Sequence, residues 1–280
     1  MHKQTCSVIK ICNGFQECGE KTVKILVCVK QVYDSPDTLV FNESSGRVEF
    51  GSHTVFRMNR YDEYAVEEAL RIRERITGVA VDAVSVGPDR VRKTIRRALE
   101  MGADHGIHIR TGCETDLDPL ERAHLIASLA RGRRYDLILT GVMAEDDMQS
   151  QVGGLLAGIL GFTCATGIIS LEMHGNPREI LLEREIEGGR RECLTLGFPC
   201  VLTIQSGINT PRYPSLSHVL RARSEELELI EAPSPAPSPP LQSVKRFLLP
   251  EEGEKGEIIT GTPGEKAARL LSILREHSLL

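Results

Sequence analysis

Residue types suited to ligand binding are concentrated in two segments that follow apolar runs. One is Ser-Val-Gly-Pro at residues 85–88, and the other is Gly-Val-Met-Ala-Glu-Asp-Asp-Met-Gln-Ser-Gln-Val-Gly-Gly at residues 141–154. Each precedes an amphipathic stretch, so each is expected to lead from a strand into the N-terminus of a helix. Free backbone N–H groups at a helix N-terminus bind phosphate without a basic side chain. The two segments therefore predict a nucleotide site, with plain helix caps as the alternative.

The short motifs of common enzyme classes are absent from the sequence. It contains no G-x-S-x-G, H-E-x-x-H, G-x-x-x-x-G-K-[ST] or G-x-G-x-x-G motif, and no Ser-Gly-Gly pyrophosphate loop. The acidic pairs Asp146-Asp147 and Glu225-Glu226 are typical of a solvated surface in a chain with 39 acidic residues. We therefore predict no catalytic residue and favour a binding or carrier protein over an enzyme.

Composition excludes several other classes of protein. The chain has 280 residues with 41% hydrophobic and 26% charged residues, which is typical of a globular protein. No segment approaches the ~20 apolar residues that span a bilayer. A net charge of -5 and only 4% aromatic residues disfavour nucleic acid as a ligand. We expect a cytoplasmic protein with no nucleic-acid partner and no direct membrane insertion.

Eight cysteines are scattered along the chain without a C-x-x-C pair, which indicates reduced thiols. Three of them, Cys6, Cys12 and Cys18, are spaced more widely than zinc ligands, which are usually two to four residues apart. A metal held by these three with His2 nearby is therefore the disfavoured alternative, and we predict no metal site. Residues 1–23 are expected to be an extension that is disordered or not native.

From residue 24 onward, apolar runs alternate with amphipathic stretches, as in parallel strands joined by helices. We predict strands at 25–29, 81–86, 105–109 and 136–140, and helices after residues 60, 88, 119 and 148. A hairpin is predicted at 39–42 and 47–50. Further β-like runs follow at 167–173, 179–186, 190–196 and 199–204. The predicted fold class is α/β, with a doubly wound, mostly parallel, Rossmann-like sheet for an adenine nucleotide, an antiparallel extension and a C-terminal arm.

The C-terminal part of the sequence has a different character. Residues 231–240 contain five prolines and almost no apolar bulk, which predicts an extended spacer. A weakly amphipathic helix is predicted at 264–276, and a helix of this length is stable only when it docks on something. The predicted domains are thus the extension 1–23, a nucleotide-binding domain 24–230, a linker 231–243 and an arm 244–280.

Several motifs in this order also carry a family resemblance. They are KILVCVKQV at 24–32, NRYDE at 59–63 with AVEEA at 65–69, SVGP at 85–88, ALEMGAD at 98–104, the 141–153 segment and NTPRY at 209–213. In residues 24–230 the chain resembles the beta subunit of electron transfer flavoprotein. The resemblance implies a heterodimer whose alpha subunit holds FAD and receives the C-terminal arm. It also implies an adenine nucleotide in this subunit, AMP in most members and a second FAD in electron-bifurcating members.

The resemblance further implies which residues bind this nucleotide: Cys28, Asn59, Arg60, Tyr61, Asp62, Val86, Gly141, Val142, Met143, Ala144, Glu145, Asp146, Asp147, Met148, Gln149, Ser150, Gln151 and Val152. The loop departs from both family forms. Asp147 stands where bifurcating members have glycine, which favours AMP, whereas Val152 follows the bifurcating form. Arg60 stands where the family commonly has proline.

Residues 211–216 resemble the loop by which the family docks on acyl-CoA dehydrogenases. The resemblance implies that Leu216 is its anchor and that Arg221 and Arg223 guide acidic partners. An exposed leucine and a solvated helix face are the plain alternatives.

The implied function is that of an electron carrier subunit. It would serve acyl-CoA dehydrogenase type flavoenzymes and a downstream quinone or iron-sulfur oxidoreductase. The alternatives are an electron-bifurcating subunit that uses NADH and a stand-alone adenine nucleotide hydrolase or sensor.

Overall fold

The computed structural model describes residues 8–11, 23–35, 39–42, 44–112, 117–173, 179–233, 241–242, 244–248 and 256–279. The chain divides into two compact units. The larger unit comprises residues 1–40 and 48–244, and the smaller unit comprises residues 41–47 and 245–280.

The described strands are, in chain order, β1 (Val8–Ile11), β2 (Lys24–Cys28), β3 (Gln31–Tyr33), β4 (Leu39–Asn42), β5 (Arg47–Phe50), β6 (Phe56–Met58), β7 (Ala80–Gly87), β8 (His105–Arg110), β9 (Leu137–Gly141), β10 (Thr163–Met173), β11 (Glu179–Ile186), β12 (Arg190–Gly197), β13 (Cys200–Ile204) and β14 (Glu228–Glu231). The helices are α1 (Arg60–Arg75), α2 (Arg92–Met101), α3 (Pro119–Arg133), α4 (Val152–Leu160), α5 (Leu216–Ser224) and α6 (Pro263–Glu276).

One large sheet lies at the centre of the larger unit, in the strand order β1-β12-β11-β10-β13-β9-β2-β7-β8-β14. From β10 to β14 in this order, each strand is parallel to the next. Strand β11 pairs antiparallel with both β10 and β12. The predicted α/β fold with a mostly parallel sheet and an antiparallel extension is confirmed.

Helices cover both faces of this sheet, and the central strands are therefore apolar throughout. Along β2, Ile25 and Val27 belong to the core that includes α1 and α2. Leu26 and Cys28 alternate with them and belong to the core that includes α3 and α4. Burying both faces of β2 fixes the position of its C-terminal end, where the chain emerges between the two helical layers.

Several strand predictions agree with the structure within one or two residues, and the hairpin strands β4 and β5 have the predicted bounds. Helix α4 begins at Val152, three residues later than expected. The preceding Met148 and Ser150 have positive φ angles of 51° and 54°, which a right-handed helix excludes. No helix among the described residues combines the length and apolarity needed to cross a membrane.

Two elements near residue 220 were not predicted. Residues 216–224 form helix α5, and residues 228–231 form β14, which pairs with β8. The sequence predicts that the proline-rich linker starts at residue 231. The structure extends the sheet to that residue because β14 pairs with the backbone groups that β8 would otherwise leave open at the edge. Residues 234–240 and 243 of the linker lie outside the described residues.

Residues 8–11, within the predicted N-terminal extension, are ordered as a strand, whereas the prediction that the extension is not native stays a prediction. These residues form β1, which is parallel to β12 with Val8 opposite Cys193. A Val-Ile-Lys-Ile run has high β propensity, so it can complete the backbone pairing of an edge strand. Residues 1–7 and 12–22, with Cys6, Cys12 and Cys18, lie outside the described residues.

The cysteines do not all have the reduced state expected from the sequence. Cys28, Cys164 and Cys200 are free thiols. Cys193 is disulfide-bonded.

The smaller unit contains helix α6. A capping box begins this helix, because the Thr262 side chain accepts from Glu265 N and Glu265 bonds back to Thr262 N at 2.8 Å. None of its residues is buried, and Leu270 and Leu271 are 50% and 45% exposed. The predicted docking of this arm on another subunit stays a prediction.

Candidate functional site

A pocket lies at the carboxyl ends of the parallel strands β2, β7 and β9, beside the first turns of α1, α3 and α4. Its empty volume, including solvent at the open mouth, is about 720 Å³. Open α/β sheets bind ligands at this edge because the strand ends and helix N-termini converge there.

The pocket brings together most of the predicted site residues. Those that line it are Cys28, Asn59, Asp62, Val86, Gly141, Val142, Met143, Ala144, Asp147, Gln149, Ser150, Gln151 and Val152. The predicted residues Arg60, Tyr61, Glu145, Asp146 and Met148 are not part of the lining. The role of these residues as nucleotide ligands stays a prediction.

The loop of residues 141–151 is attached to the start of α1 by reciprocal hydrogen bonds. Asn59 Nδ2 donates to Met143 O at 2.9 Å, and Asn59 Oδ1 accepts from Glu145 N at 3.1 Å. Glu145 Oε2 in turn accepts from Arg60 N at 3.2 Å and from Arg57 Nη1 at 2.7 Å. Burial works to raise the pKa of Glu145, but the bond from Arg57 and the neighbouring charges outweigh it and the pKa is lowered. Glu145 therefore caps α1 as a carboxylate.

Arg60 makes a hydrogen bond that a proline at the same position could not make. Arg60 is the first residue of α1, a position that tolerates proline because its N–H has no intrahelical acceptor. A proline there has no N–H to donate to Glu145. The arginine in this chain thus adds one hydrogen bond between the helix and the loop.

A buried carboxylate lies at the bottom of the pocket. Asp62 is 5% exposed and accepts from Lys30 N at 2.7 Å and from Gly141 N at 3.0 Å. Burial raises its pKa to about 7, although both hydrogen bonds oppose the shift. Burial, and then the charge of Asp62, raise the pKa of the Cys28 thiol, so Cys28 is not a nucleophile at neutral pH.

Charged side chains are paired around the pocket mouth. Lys30 Nζ lies 2.7 Å from Asp146 Oδ1 and 2.8 Å from Asp147 Oδ2. Arg122 Nη1, from α3, also lies 3.7 Å from Asp147 Oδ2. The Asp147 carboxylate is therefore shared by two cations, both of which line the pocket.

Sequence reasoning missed Lys30 and Arg122 as pocket residues. Lys30 directly follows the predicted strand 25–29, so its position at a strand end is a usable signal. Arg122 lies one turn into a helix that is distant in sequence, and nothing in its neighbours indicates the pocket.

The end of the loop meets the N-terminus of α4. Gln151, Val152 and Gly153 line the pocket at this point. The side chain of Gln151, the N-cap residue of α4, makes no capping hydrogen bond. The first N–H groups of a helix have no intrahelical partners and carry a partial positive charge. This part of the pocket is chemically suited to an anionic group such as a phosphate.

The predicted docking residues do not line the pocket. Leu216 is the first residue of α5 and is 74% exposed, and Arg223 is also exposed. Arg221 is exposed as well, and its guanidinium also makes hydrogen bonds within the chain, so its guiding role stays a prediction. Its Nη2 donates to Ala103 O at 2.8 Å and to Leu99 O at 3.3 Å. Its guanidinium thus satisfies carbonyls at the C-terminus of α2 and holds α5 in place.

The fold and pocket together define a doubly wound α/β protein with a ligand-type pocket at the carboxyl edge of its parallel sheet. No cluster of metal-ligating residues occurs in the parts of the chain that the structure describes.

Comparison with known proteins identifies the family within this class. The profile of the electron transfer flavoprotein domain matches residues 50–235. Electron transfer flavoprotein subunit beta of Bacillus subtilis is 34% identical over 91% of this chain and 99% of its own length. The Methylophilus methylotrophus subunit is 29% identical over 91% and 98%, and the Homo sapiens subunit is 38% identical over 75% and 81%. The chain belongs to the electron transfer flavoprotein beta subunit family.

We expect Gly141→Ala to destabilise the protein by about 2 kcal/mol or more, as overpacking of a closed site does. A Cβ at residue 141 would lie 2.4 Å from Asp62 Oδ1 and 2.9 Å from the backbone carbon of Tyr61. Urea unfolding measures the loss. Gly154→Ala is the matched control, because nothing lies within 4 Å of its added Cβ, and alanine is the better helix former by about 1 kcal/mol. Equal stabilities of the two variants would contradict the close approach.

We expect stability to decrease as pH rises from 5 to 8, in part through Asp62. Its pKa is raised from 3.8 to about 7 in the folded protein, so the folded state holds a proton that the unfolded state has already lost. This contribution is complete below pH 4 and disappears as pH passes 7.

Asp62→Asn should reduce the slope of unfolding free energy against pH, measured by urea unfolding at several pH values. Glu68, whose pKa burial also raises, contributes the same slope in both proteins. Identical slopes for the variant and the wild type would contradict the assignment to Asp62.

Proposed function

We propose that this chain is the beta subunit of a heterodimeric electron transfer flavoprotein in the cytoplasm. It is an electron carrier subunit and catalyses no bond-making reaction itself. It passes electrons from flavin dehydrogenases of the acyl-CoA dehydrogenase type to a downstream quinone or iron-sulfur oxidoreductase. The observation that carries the proposal is the family match over residues 50–235, combined with a pocket lined by the motif residues at the carboxyl edge of the sheet.

The partner that completes the flavin site is the alpha subunit, which mainly holds the FAD. FAD supplies the one-electron and two-electron chemistry of the complex. The C-terminal arm of residues 244–280 binds the alpha subunit. The exposure of Leu270 and Leu271 supports this role, because a 14-residue helix is marginal in water without a docking surface.

The nucleotide in the pocket of this subunit is AMP, and its role is structural. The uncapped first turn of α4, at Val152 and Gly153, suits its phosphate. The apolar side chains of Val84, Val86 and Ile126 line the same pocket and suit a planar base. A ligand that binds only the folded state stabilises it by about 2.7 kcal/mol at a hundredfold excess over Kd.

Asp147 supports AMP over a second FAD. Its carboxylate lines the pocket and is held by Lys30 and Arg122. The side chain therefore occupies space and carries negative charge where bifurcating relatives have only glycine. Val152 favours the second candidate, an electron-bifurcating subunit with FAD in this pocket, because it follows the loop of those relatives.

We expect one FAD and one AMP per purified heterodimer, counted by acid extraction and chromatography. Asp147→Gly should allow measurable uptake of a second FAD, because it removes side-chain volume and negative charge from the pocket. Asp146→Gly is the matched control, since Asp146 pairs with the same Lys30 but does not line the pocket, and it should leave the nucleotide content unchanged. Two FAD per wild-type dimer would refute the AMP proposal and favour the bifurcating one.

We expect Leu216→Ala to raise the apparent KM for an acyl-CoA dehydrogenase severalfold, with flavin content and salt dependence unchanged. The substitution removes exposed apolar surface that a partner would bury, at about 25 cal/mol per Å². Arg223→Ala should instead flatten the ionic-strength dependence of electron transfer.

Arg221→Ala serves as the comparison for Arg223→Ala. It should lower the melting temperature, because its guanidinium bonds to the α2 carbonyls. If Leu216→Ala accepts electrons like the wild type from every acyl-CoA dehydrogenase tried, residues 211–216 are not the docking segment.

A further inference from the structure

Two consecutive acidic residues of α1 are buried, which is unusual for carboxylates. Glu67 and Glu68 are 5% and 2% exposed. The Glu67 carboxylate accepts three hydrogen bonds, all from Arg212: from its backbone N at 3.1 Å, from Nε at 2.8 Å and from Nη2 at 2.9 Å. This is a bidentate guanidinium–carboxylate pair with an additional backbone hydrogen bond. Such a pair fixes the orientation of the guanidinium as well as its distance from the carboxylate.

Glu68 binds the same segment of chain at Asn209, three residues before Arg212. Asn209 Nδ2 donates to Glu68 Oε2 at 2.9 Å and to Tyr64 O at 3.0 Å. Arg71 Nη1 lies 3.6 Å from Glu68 Oε2 and balances its charge. Residues 209–212 are therefore attached to α1 by side chains on adjacent helix positions.

The residues that follow are attached at their other end. Ser215 Oγ accepts from His218 N at 3.3 Å and caps α5. Helix α5 is held by the buried Ala222 and by the bonds from Arg221 to α2. Tyr213 lies between these two attachments and is 94% exposed, and Leu216, the first residue of α5, is 74% exposed. Residues 211–216, the docking segment, thus present apolar side chains to solvent from a backbone fixed on two helices.

We propose that Glu67 is a positioning residue for partner docking, acting through Arg212. It orients the docking segment before the partner arrives, so that a partner flavoenzyme need not order the segment as it binds. Glu67 itself is covered and makes no contact with the partner. The inference rests on the proposed docking function of residues 211–216.

The charge arrangement around Arg212 offers a matched control. Arg212 Nη1 also lies 2.5 Å from Glu74 Oε1, but the Glu74 side chain is 53% exposed whereas that of Glu67 is 6% exposed. An exposed ion pair contributes little to holding a chain in place. The two carboxylates contact the same guanidinium, so they separate the effect of orientation from the effect of local charge.

The experiment uses the whole heterodimer, with an acyl-CoA dehydrogenase and its acyl-CoA substrate as the electron donor. We expect Glu67→Gln and Arg212→Lys each to raise the KM for the dehydrogenase about tenfold with kcat and flavin content unchanged. Glu74→Gln should have the wild-type KM. The double variant Glu67→Gln with Arg212→Lys should be no worse than either single variant, because both remove one interaction.

Amide hydrogen exchange gives a readout that does not need the partner. In Glu67→Gln, exchange should accelerate in peptides covering residues 209–216 and stay unchanged in peptides covering residues 141–152. A fall in melting temperature with wild-type KM and wild-type exchange in residues 209–216 would overturn the proposal, since Glu67 would then serve stability alone. If Glu67→Gln does not fold, Arg212→Lys decides by the same criteria.

Failure of this inference is distinguishable from failure of the docking function. If Leu216→Ala raises KM while Glu67→Gln and Arg212→Lys do not, the positioning role is refuted and the docking function stands. If Leu216→Ala has no effect, or if no dehydrogenase reduces the wild type, both are refuted.

Discussion

The carboxylate of Asp62 is the contact on which the pocket depends. It lies in the first turn of α1 and accepts one backbone N–H from the end of β2 and another from the end of β9. Two strand ends and one helix start therefore meet at a single buried side chain. Residue 141 must be glycine because Asp62 and Tyr61 occupy the space that a side chain would need. Since Asp62 is removed from water, it holds its proton to nearly neutral pH.

Helix α1 connects the pocket to the segment of residues 209–212. Its first turn is bonded to the 141–151 loop through Asn59 and Asp62. About one and a half turns further, Glu67 and Glu68 hold residues 209–212. One rigid element thus sets the position of both the pocket loop and the docking segment. The burial of α1 against the sheet fixes its own position, through residues such as Val66 and Leu70 that are 0% exposed.

The charged side chains at the pocket mouth form ion pairs with one another. Lys30 lies between Asp146 and Asp147, and Arg122 approaches Asp147 from another helix. Beside these paired side chains, the N-terminus of α4 adds a partial positive charge to the pocket. This explains how a chain with a net charge of -5 and an acidic loop can present a site suited to an anion.

The sequence by itself determined the α/β alternation, the hairpin of residues 39–50 and the loops that form the pocket, because apolar periodicity, glycine and turn signals act over short distances. Only the tertiary structure decided what depends on residues far apart in sequence. The segments at 8–11 and 228–231 became strands because sheet edges were there to pair with them. Arg221 is an exposed cation, as its sequence context indicates, but its hydrogen bond to Ala103 O depends on the packing of α5 beside α2. Arg122 and Glu67 showed no local pattern, because a pocket wall and a buried ion pair exist only once their partners, Asp147 and Arg212, are brought alongside by the fold.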